Sequence, residues 1–280
     1  MLNIIKADMY RIIRGKGLYI TLAIILVVNI LVMGSLHAFH SGALDATMGI
    51  GITIGSDLEG QEAFDAAMAE IQAISFDGIH AAEILTQGME NFLWFLLPVV
   101  VIVASAIFTH GTVKNDIAFG ISRPKLYMSK LALSIGISVI FLLFYMMTGM
   151  LVATVLGGFG TAAAGYWANL VQVLGAQLLM IIAMVCIGIF FVFTTKRTAA
   201  VNGAFIAFIL APAIIISILT FADPWFERLF DFDMTTNIMR LANLRYLETR
   251  EIATALGLGS FYILATTIGG IALFKRAEIK

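Results

Sequence analysis

The chain has 280 residues, of which 60% are hydrophobic and 12% are charged, and its formal net charge is −1. Soluble domains carry about 25% charged residues, so this composition excludes a water-soluble globular protein and indicates a chain that uses lipid as part of its solvent. The single cysteine, Cys186, excludes an intrachain disulfide framework and a multi-cysteine metal site.

The first 17 residues are predicted to form an amphipathic helix, because apolar residues recur there at helical spacing with charged residues between them. The apolar positions are Leu2, Ile5, Met9, Ile12 and Ile13, and the charged positions are Lys6, Asp8, Arg11 and Arg14. We expect this helix, 1–17, to lie in the cytoplasmic membrane interface. The Gly15-Lys16-Gly17 break then turns the chain into the membrane. The alternative is a short disordered basic tail.

Six apolar runs follow, each close to the length that crosses a bilayer as a helix. They are Leu18–Leu36, Phe92–Phe108, Leu131–Leu156, Trp167–Phe193, Ala199–Phe221 and Ala255–Phe274. Their length and continuity favour helices over the short alternating strands of a membrane barrel. We therefore predict an all-α fold, a polytopic membrane helical bundle with six transmembrane helices in a single domain over 1–280.

Lys and Arg residues are distributed unevenly between the spans. They concentrate in the N-terminal tail, in 110–130, at Lys196-Arg197 and in the C-terminal tail, whereas 37–90 has none and carries nine carboxylates. The positive-inside rule then predicts a multi-pass protein of the plasma membrane with both termini on the cytoplasmic side. The segments 37–90 and 222–254 become outer loops.

The connections contain further predicted elements. Residues 60–74 and 234–253 each show apolar positions at helical spacing, which predicts a short amphipathic helix in each outer loop. The sequence Gly157-Gly158-Phe159-Gly160 predicts a tight turn between the third and fourth spans.

Motifs that carry chemistry are missing from the sequence. It contains neither a phosphate-binding G-x-x-x-x-G-K-[ST] loop nor an H-E-x-x-H pair, so we predict no enzyme activity, no cofactor, no metal and no nucleic-acid partner. The span interiors also lack Asp, Glu, Lys and Arg, which argues against an ion pump or a proton-coupled carrier.

The polar residues inside the spans are mild ones, chiefly Asn29, Thr148, Asn169, Gln172, Gln177 and Asn202. One interpretation is that they make hydrogen bonds between helices. The other is a polar path for a substrate, for which the candidates are Asn169, Gln172, Gln177 and Asn202.

The segment 110–130, between the second and third spans, is too polar to cross the membrane and is strongly basic. Helical spacing places Val113, Ile117 and Ile121 on one face. Lys114, Arg123 and Lys125 lie at the rim of that face. A short helix of this kind is a candidate docking surface for a cytoplasmic partner. The alternative is a loop that only sets topology.

The run GTVKNDIAFGISRPKLYMSK resembles the cytoplasmic loop of ABC-2-type exporter permeases. The matching positions are Gly111, Thr112, Lys114, Ile121, Ser122, Arg123, Tyr127 and Lys130. His110 departs from the family pattern, in which an acidic residue often precedes the Gly-Thr pair. The chain is most similar to small Gram-positive permeases linked to antimicrobial-peptide export or immunity.

The resemblance implies a permease domain that exports an amphipathic peptide or lipid-like molecule. It further implies a separate ABC ATPase subunit, with 110–130 as the coupling loop, and a second permease, either another copy or a paralogue. Membrane lipid is the remaining partner. The alternatives are a stand-alone channel or secondary transporter, an intramembrane enzyme, and a non-catalytic structural membrane protein.

Overall fold

The computed structural model describes residues 2–41, 76–109, 111–241 and 249–277, and these ranges contain helices and turns but no strand. The helices are α1 (Leu2–Arg14), α2 (Lys16–His40), α3 (Gly78–Gln87), α4 (Met89–Val100), α5 (Ala106–Thr109), α6 (Thr112–Ala118), α7 (Arg123–Gly157), α8 (Tyr166–Thr195), α9 (Thr198–Ala222), α10 (Met234–Arg240) and α11 (Thr249–Arg276), with a π-helical turn at Val101–Ser105 and a 3-10 helix at Pro224–Phe232. The all-α prediction is confirmed.

Six helices in the described ranges are long and apolar enough to cross a membrane, as predicted. Their bounds are Lys16–His40, Met89–Phe108, Arg123–Gly157, Tyr166–Thr195, Thr198–Ala222 and Thr249–Arg276. The third begins eight residues before the predicted Leu131 and has 35 residues. At 1.5 Å per residue it is about 52 Å long, well beyond the roughly 30 Å hydrocarbon core. Residues 123–130 are therefore part of this helix and not of a loop, which corrects the prediction.

The helices group into two compact units. The first comprises 1–23, 86–144 and 165–280, and the second comprises 24–85 and 145–164. The prediction of a single permease domain stays a prediction.

In the first unit, α8 is the most buried of the six candidate spans and packs against α4, α9 and α11. Aromatic rings fill the core at one end of this packing. The ring centroid of Phe193 lies 4.7 Å from that of Phe274 and 4.8 Å from that of Tyr127. Gly270 lies against the Tyr127 ring, so close that an added Cβ would lie 2.7 Å from its ring carbons. The missing side chain is what lets α7 and α11 approach here.

In the second unit, Asn29 of α2 bonds to α7. Its Nδ2 donates to the carbonyl oxygen of Tyr145 at 2.9 Å and to Oγ1 of Thr148 at 2.6 Å. Asn29 is 1% exposed. For Asn29 and Thr148 the interpretation as a helix-to-helix hydrogen bond is confirmed.

The predicted turn after α7 is confirmed, because Gly158 and Gly160 adopt left-handed φ angles of 87° and 80°. The backbone N–H of Gly78, at the start of α3, donates to the Gly158 carbonyl at 2.9 Å. Asp77 precedes α3 and acts as its N-cap. Its Oδ1 accepts from the backbone N–H of Ile79 and of His80, each at 2.9 Å.

The predicted N-terminal helix and its glycine break are present, since α1 ends at Arg14 and α2 begins at Lys16. One residue of α1 faces the other way from its predicted position. Asp8 was assigned to the charged face, but it is buried, at 8% exposure, alongside Ile12 at 3%. The reason is a charged partner that lies far away in the sequence, Lys130.

The other predicted elements have different outcomes. The helix at 60–74 lies outside the described residues. The prediction of a single helix over 234–253 is wrong, because α10 ends at Arg240 and the last span begins at Thr249. Aspartate N-caps fix where the 3-10 helix and α10 begin. Asp223 Oδ1 accepts from Trp225 N at 2.8 Å at the start of the 3-10 helix, and Asp233 Oδ2 accepts from Thr236 N at 2.8 Å at the start of α10.

Candidate functional site

The short helix α6 lies in the segment predicted to dock a partner. It begins after Gly111, which has a left-handed φ of 64°, and ends in a Schellman motif around Gly120. The N–H of Gly120 donates to the carbonyl of Ile117 at 3.0 Å, and the N–H of Ile121 donates to that of Asp116 at 3.1 Å. Ile121 therefore closes the helix and does not extend its face, so the predicted three-residue face is wrong.

Burial differs from the predicted pattern as well. Val113 is buried, at 2% exposure, while Ile117 and Ile121 are half-buried. Phe119, which the sequence interpretation passed over, is 88% exposed. The most exposed large apolar side chain of 111–130 is thus an aromatic ring at the end of α6. An aromatic residue directly before a capping glycine in a basic loop was the available signal.

The predicted rim cations take different positions. Lys114 and Lys125 are exposed. Arg123 instead binds the last helix, because its Nη1 donates to the carbonyl oxygens of Phe274, Lys275 and Ala277 at 3.2, 2.7 and 2.8 Å. These are carbonyls that the end of a helix leaves without intrahelical partners. Arg123 therefore caps α11.

Tyr127 and Lys130 follow Arg123 on the same face of α7, at the i, i+4 and i+7 positions. The hydroxyl of Tyr127 donates to the carbonyl of Thr266 at 3.2 Å. The Nζ of Lys130 lies 2.5 Å from Oδ2 of Asp8. This face of α7 thus contacts α11 and α1.

A family model described as ABC-2 family transporter protein matches residues 63–213, more than half of the chain. The chain belongs to the ABC-2 transporter family. The match contains all of 110–130, so it covers the segment on which the resemblance rested. A comparison with curated proteins finds no significant match.

Membership of the ABC-2 family identifies the chain as a transport permease, the membrane component of a transporter and not a catalytic one. Permeases of this family generally work with an ABC ATPase subunit. Within the part of the permease that the structure describes, no group of three or more His, Cys, Asp or Glu side chains could hold a metal ion.

The four candidate path residues of the permease occupy different environments. Asn169 and Gln172 lie three apart on α8 and are both exposed. Gln177 is fully buried, and its Nε2 donates to the carbonyl oxygens of Thr86 at 2.9 Å and Ile238 at 3.5 Å. Asn202 on α9 is half-buried. The structure brings Asn169 and Gln172 together, and it gives Gln177 an internal bonding role.

Proposed function

We propose that this permease is the membrane subunit of an exporter that moves an amphipathic peptide or lipid-like molecule outward. A separate ABC ATPase drives it by docking against α6, and a second permease, identical or paralogous, completes the transporter. In this proposal the protein lies in the plasma membrane and both of its termini are on the cytoplasmic side. The observation that carries the proposal is the exposed Phe119 ring on a short helix joined to the bundle.

An exposed phenylalanine in water is unfavourable, because burying such a side chain is worth about 1.5–3 kcal/mol. Lys114 on α6 and Lys125 on α7, five and six residues from Phe119 in the sequence, are both exposed. An aromatic ring surrounded by polar groups is the usual pattern of an interface anchor. The proposed ATPase therefore has an apolar pocket for this ring and acidic groups around it.

Docking can drive transport only if movement of α6 reaches the spans. Val113 is buried, so α6 is held against the bundle at its start. Two residues separate its capping Gly120 from the first residue of α7, Arg123. A push on α6 would then move α7 as a rigid body.

Photo-crosslinking from position 119 tests the contact. Phe119 is replaced by p-benzoylphenylalanine in cells that express the permease, and the crosslinked product is identified by mass spectrometry. The matched control is the same replacement at Phe159, an exposed phenylalanine in the turn after α7. We expect a crosslink to an ABC ATPase subunit from position 119 and no such crosslink from position 159. Absence of an ABC ATPase at position 119 contradicts the proposal.

A functional variant tests the coupling. Phe119→Ser should leave the permease folded and inserted, because the ring makes little contact within the chain, but should abolish transport-coupled ATP hydrolysis in proteoliposomes. Phe159→Ser is the control and should couple normally. Normal coupling by Phe119→Ser would show that the ring is not the anchor.

A further inference from the structure

Two clefts flank the 3-10 helix Pro224–Phe232, where α9 ends and α11 begins. One is lined by charged side chains and measures about 370 Å³. Its charged residues are Glu227, Arg228, Asp231, Arg240, Arg250 and Glu251. The other measures about 310 Å³ and is mainly apolar, although Asp233 also lines it. Its lining includes Phe208, Pro212, Ile215, Leu229, Phe232 and Tyr262.

The 3-10 helix separates the two clefts through its three-residue period, which aligns residues i and i+3. Arg228 and Asp231 lie on the face that lines the charged cleft, and Leu229 and Phe232 lie on the face that lines the apolar one. A molecule with a charged head and an apolar tail could therefore place one part on each side of this helix.

The helix is held in position at its C-terminal end. The Nδ2 of Asn237 donates to the carbonyl oxygens of Phe230, Asp231 and Asp233 at 3.4, 3.0 and 2.7 Å. Asn237 is 3% exposed and also lines the charged cleft. The two faces of the helix are therefore presented by a preformed structure, which reduces the ordering cost of binding.

The cleft is lined by three acidic and three basic side chains, but only some of them form ion pairs. Asp231 accepts Arg240 Nη1 at 2.5 Å and lies 3.9 Å from Arg250 Nη2. Across the described ranges, Arg228, Glu227 and Glu251 form no ion pair. One guanidinium and two carboxylates thus remain for a ligand. An anion alone would satisfy Arg228 and leave the carboxylates, whereas a zwitterion complements both.

We propose that these clefts form one binding site for a zwitterionic, single-tailed phospholipid-type amphiphile. The phosphodiester binds Arg228, whose planar donor fork matches phosphate oxygens, and the ammonium group lies between Glu227 and Glu251. The acyl chain occupies the apolar cleft. Both volumes fall at the lower end of the range of about 300–1,000 Å³ for small-molecule sites. The role of this ligand as cargo rests on the proposed function, whereas its binding does not.

Equilibrium binding of radiolabelled lysophosphatidylcholine tests the site. The purified full-length permease is placed in phosphatidylglycerol nanodiscs without any ATPase, so a failure here leaves the docking of an ATPase at α6 untouched. Loss of one charge-assisted contact should weaken binding by about tenfold or more. We expect the Arg228→Gln variant to bind lysophosphatidylcholine about tenfold more weakly than the wild type, or weaker still. The Glu251→Gln variant should also bind it more weakly than the wild type. Arg197→Gln, an exposed arginine at the start of α9, is the matched control and should bind like the wild type.

Two further ligands test the contributions of the acyl chain and of the cationic group separately. Phosphocholine without a chain and lysophosphatidylglycerol, which lacks the cation, should each bind at least about tenfold more weakly than lysophosphatidylcholine. Leu229→Ser should weaken lysophosphatidylcholine binding and leave phosphocholine binding unchanged. Equal affinity of the Arg228→Gln and Arg197→Gln variants would overturn the site, as would equal binding of lysophosphatidylglycerol.

Discussion

The Nζ of Lys130 lies 2.5 Å from the Oδ2 of Asp8, and Lys130 is 1% exposed. The pair joins α1 to the start of α7 across 122 positions of sequence. A buried ammonium group is costly unless it is paired, so the position of the N-terminal helix and the burial of Lys130 depend on each other.

Removing the carboxylate should therefore harm the fold more than removing the cation. Asp8→Asn leaves Lys130 buried without its charge partner, and we expect a loss of about 3–5 kcal/mol in the free energy of unfolding. Lys130→Met should cost less, because Asp8 keeps Arg11 at 3.4 Å. The double variant should recover most of the loss. Thermal unfolding in detergent measures all four proteins, and simple additivity of the two single losses would contradict the pairing.

Arg123 and Lys125 were both predicted as rim cations, and the structure separates them. Arg123→Gln removes the cap of α11 and should lower the free energy of unfolding by about 1–2 kcal/mol. Lys125→Gln alters an exposed side chain and should change it by less than about 0.5 kcal/mol. Faster hydrogen exchange at the end of α11 in Arg123→Gln alone would confirm the cap. Equal stability of the two variants would exclude it.

Two adjacent glycines of α11 provide a test of the close approach to α7. Gly270→Ala places a methyl group against the Tyr127 ring, and we expect overpacking to cost about 1–3 kcal/mol. At Gly269 the nearest atom to an added Cβ is Phe190 Cε2 at 3.6 Å, an ordinary contact. Gly269→Ala should therefore be tolerated. The comparison uses unfolding midpoints, and an equal loss for both variants would argue against tight packing at Gly270.

Gln177 and Gln172 differ in burial, so the same change should act differently. Gln177→Leu removes the buried hydrogen bond that Gln177 donates to the Thr86 carbonyl and should lower the free energy of unfolding by about 1–3 kcal/mol. Gln172→Leu should not affect stability. If the exposed pair of Asn169 and Gln172 forms part of the substrate path, Gln172→Leu should instead reduce transport in vesicles. Unaltered transport by that variant would remove Gln172 from the path.

The Asp77 carboxylate predicts a dependence of stability on pH. Partial burial opposes its ionisation, but hydrogen bonds from the His80 backbone and ring and from the Ile79 N–H hold its pKa below the usual 3.8. The folded state therefore binds this proton less readily than the unfolded state. Its stabilisation is present above the usual pKa and is lost as the pH falls through the folded-state value.

We therefore expect wild type to exceed Asp77→Asn in unfolding midpoint at about pH 6, and the difference to shrink towards about pH 3. Because other carboxylates titrate in both proteins, the difference between the two midpoints isolates Asp77. A difference that stays constant with pH would show that the ionised cap is not the cause.

Sequence patterns predicted the spans because a bilayer imposes a length and an apolar composition on each crossing helix. The glycine break after α1 and the turn at 157–160 were likewise predictable, since both arise from local backbone freedom. The motif in 110–130 was enough to indicate the family. Each of these properties depends on residues that are neighbours in the chain.

Tertiary structure decided which way the polar residues of α1 and of 110–130 face. Helical spacing placed Asp8 on a solvated face and Arg123 at a docking rim, but partners more than 100 residues away bury the first and bond the second. The Schellman motif at Gly120 ended α6 before Ile121 and left Phe119 exposed. Spacing along one helix cannot contain this information, because burial depends on the helices packed against it.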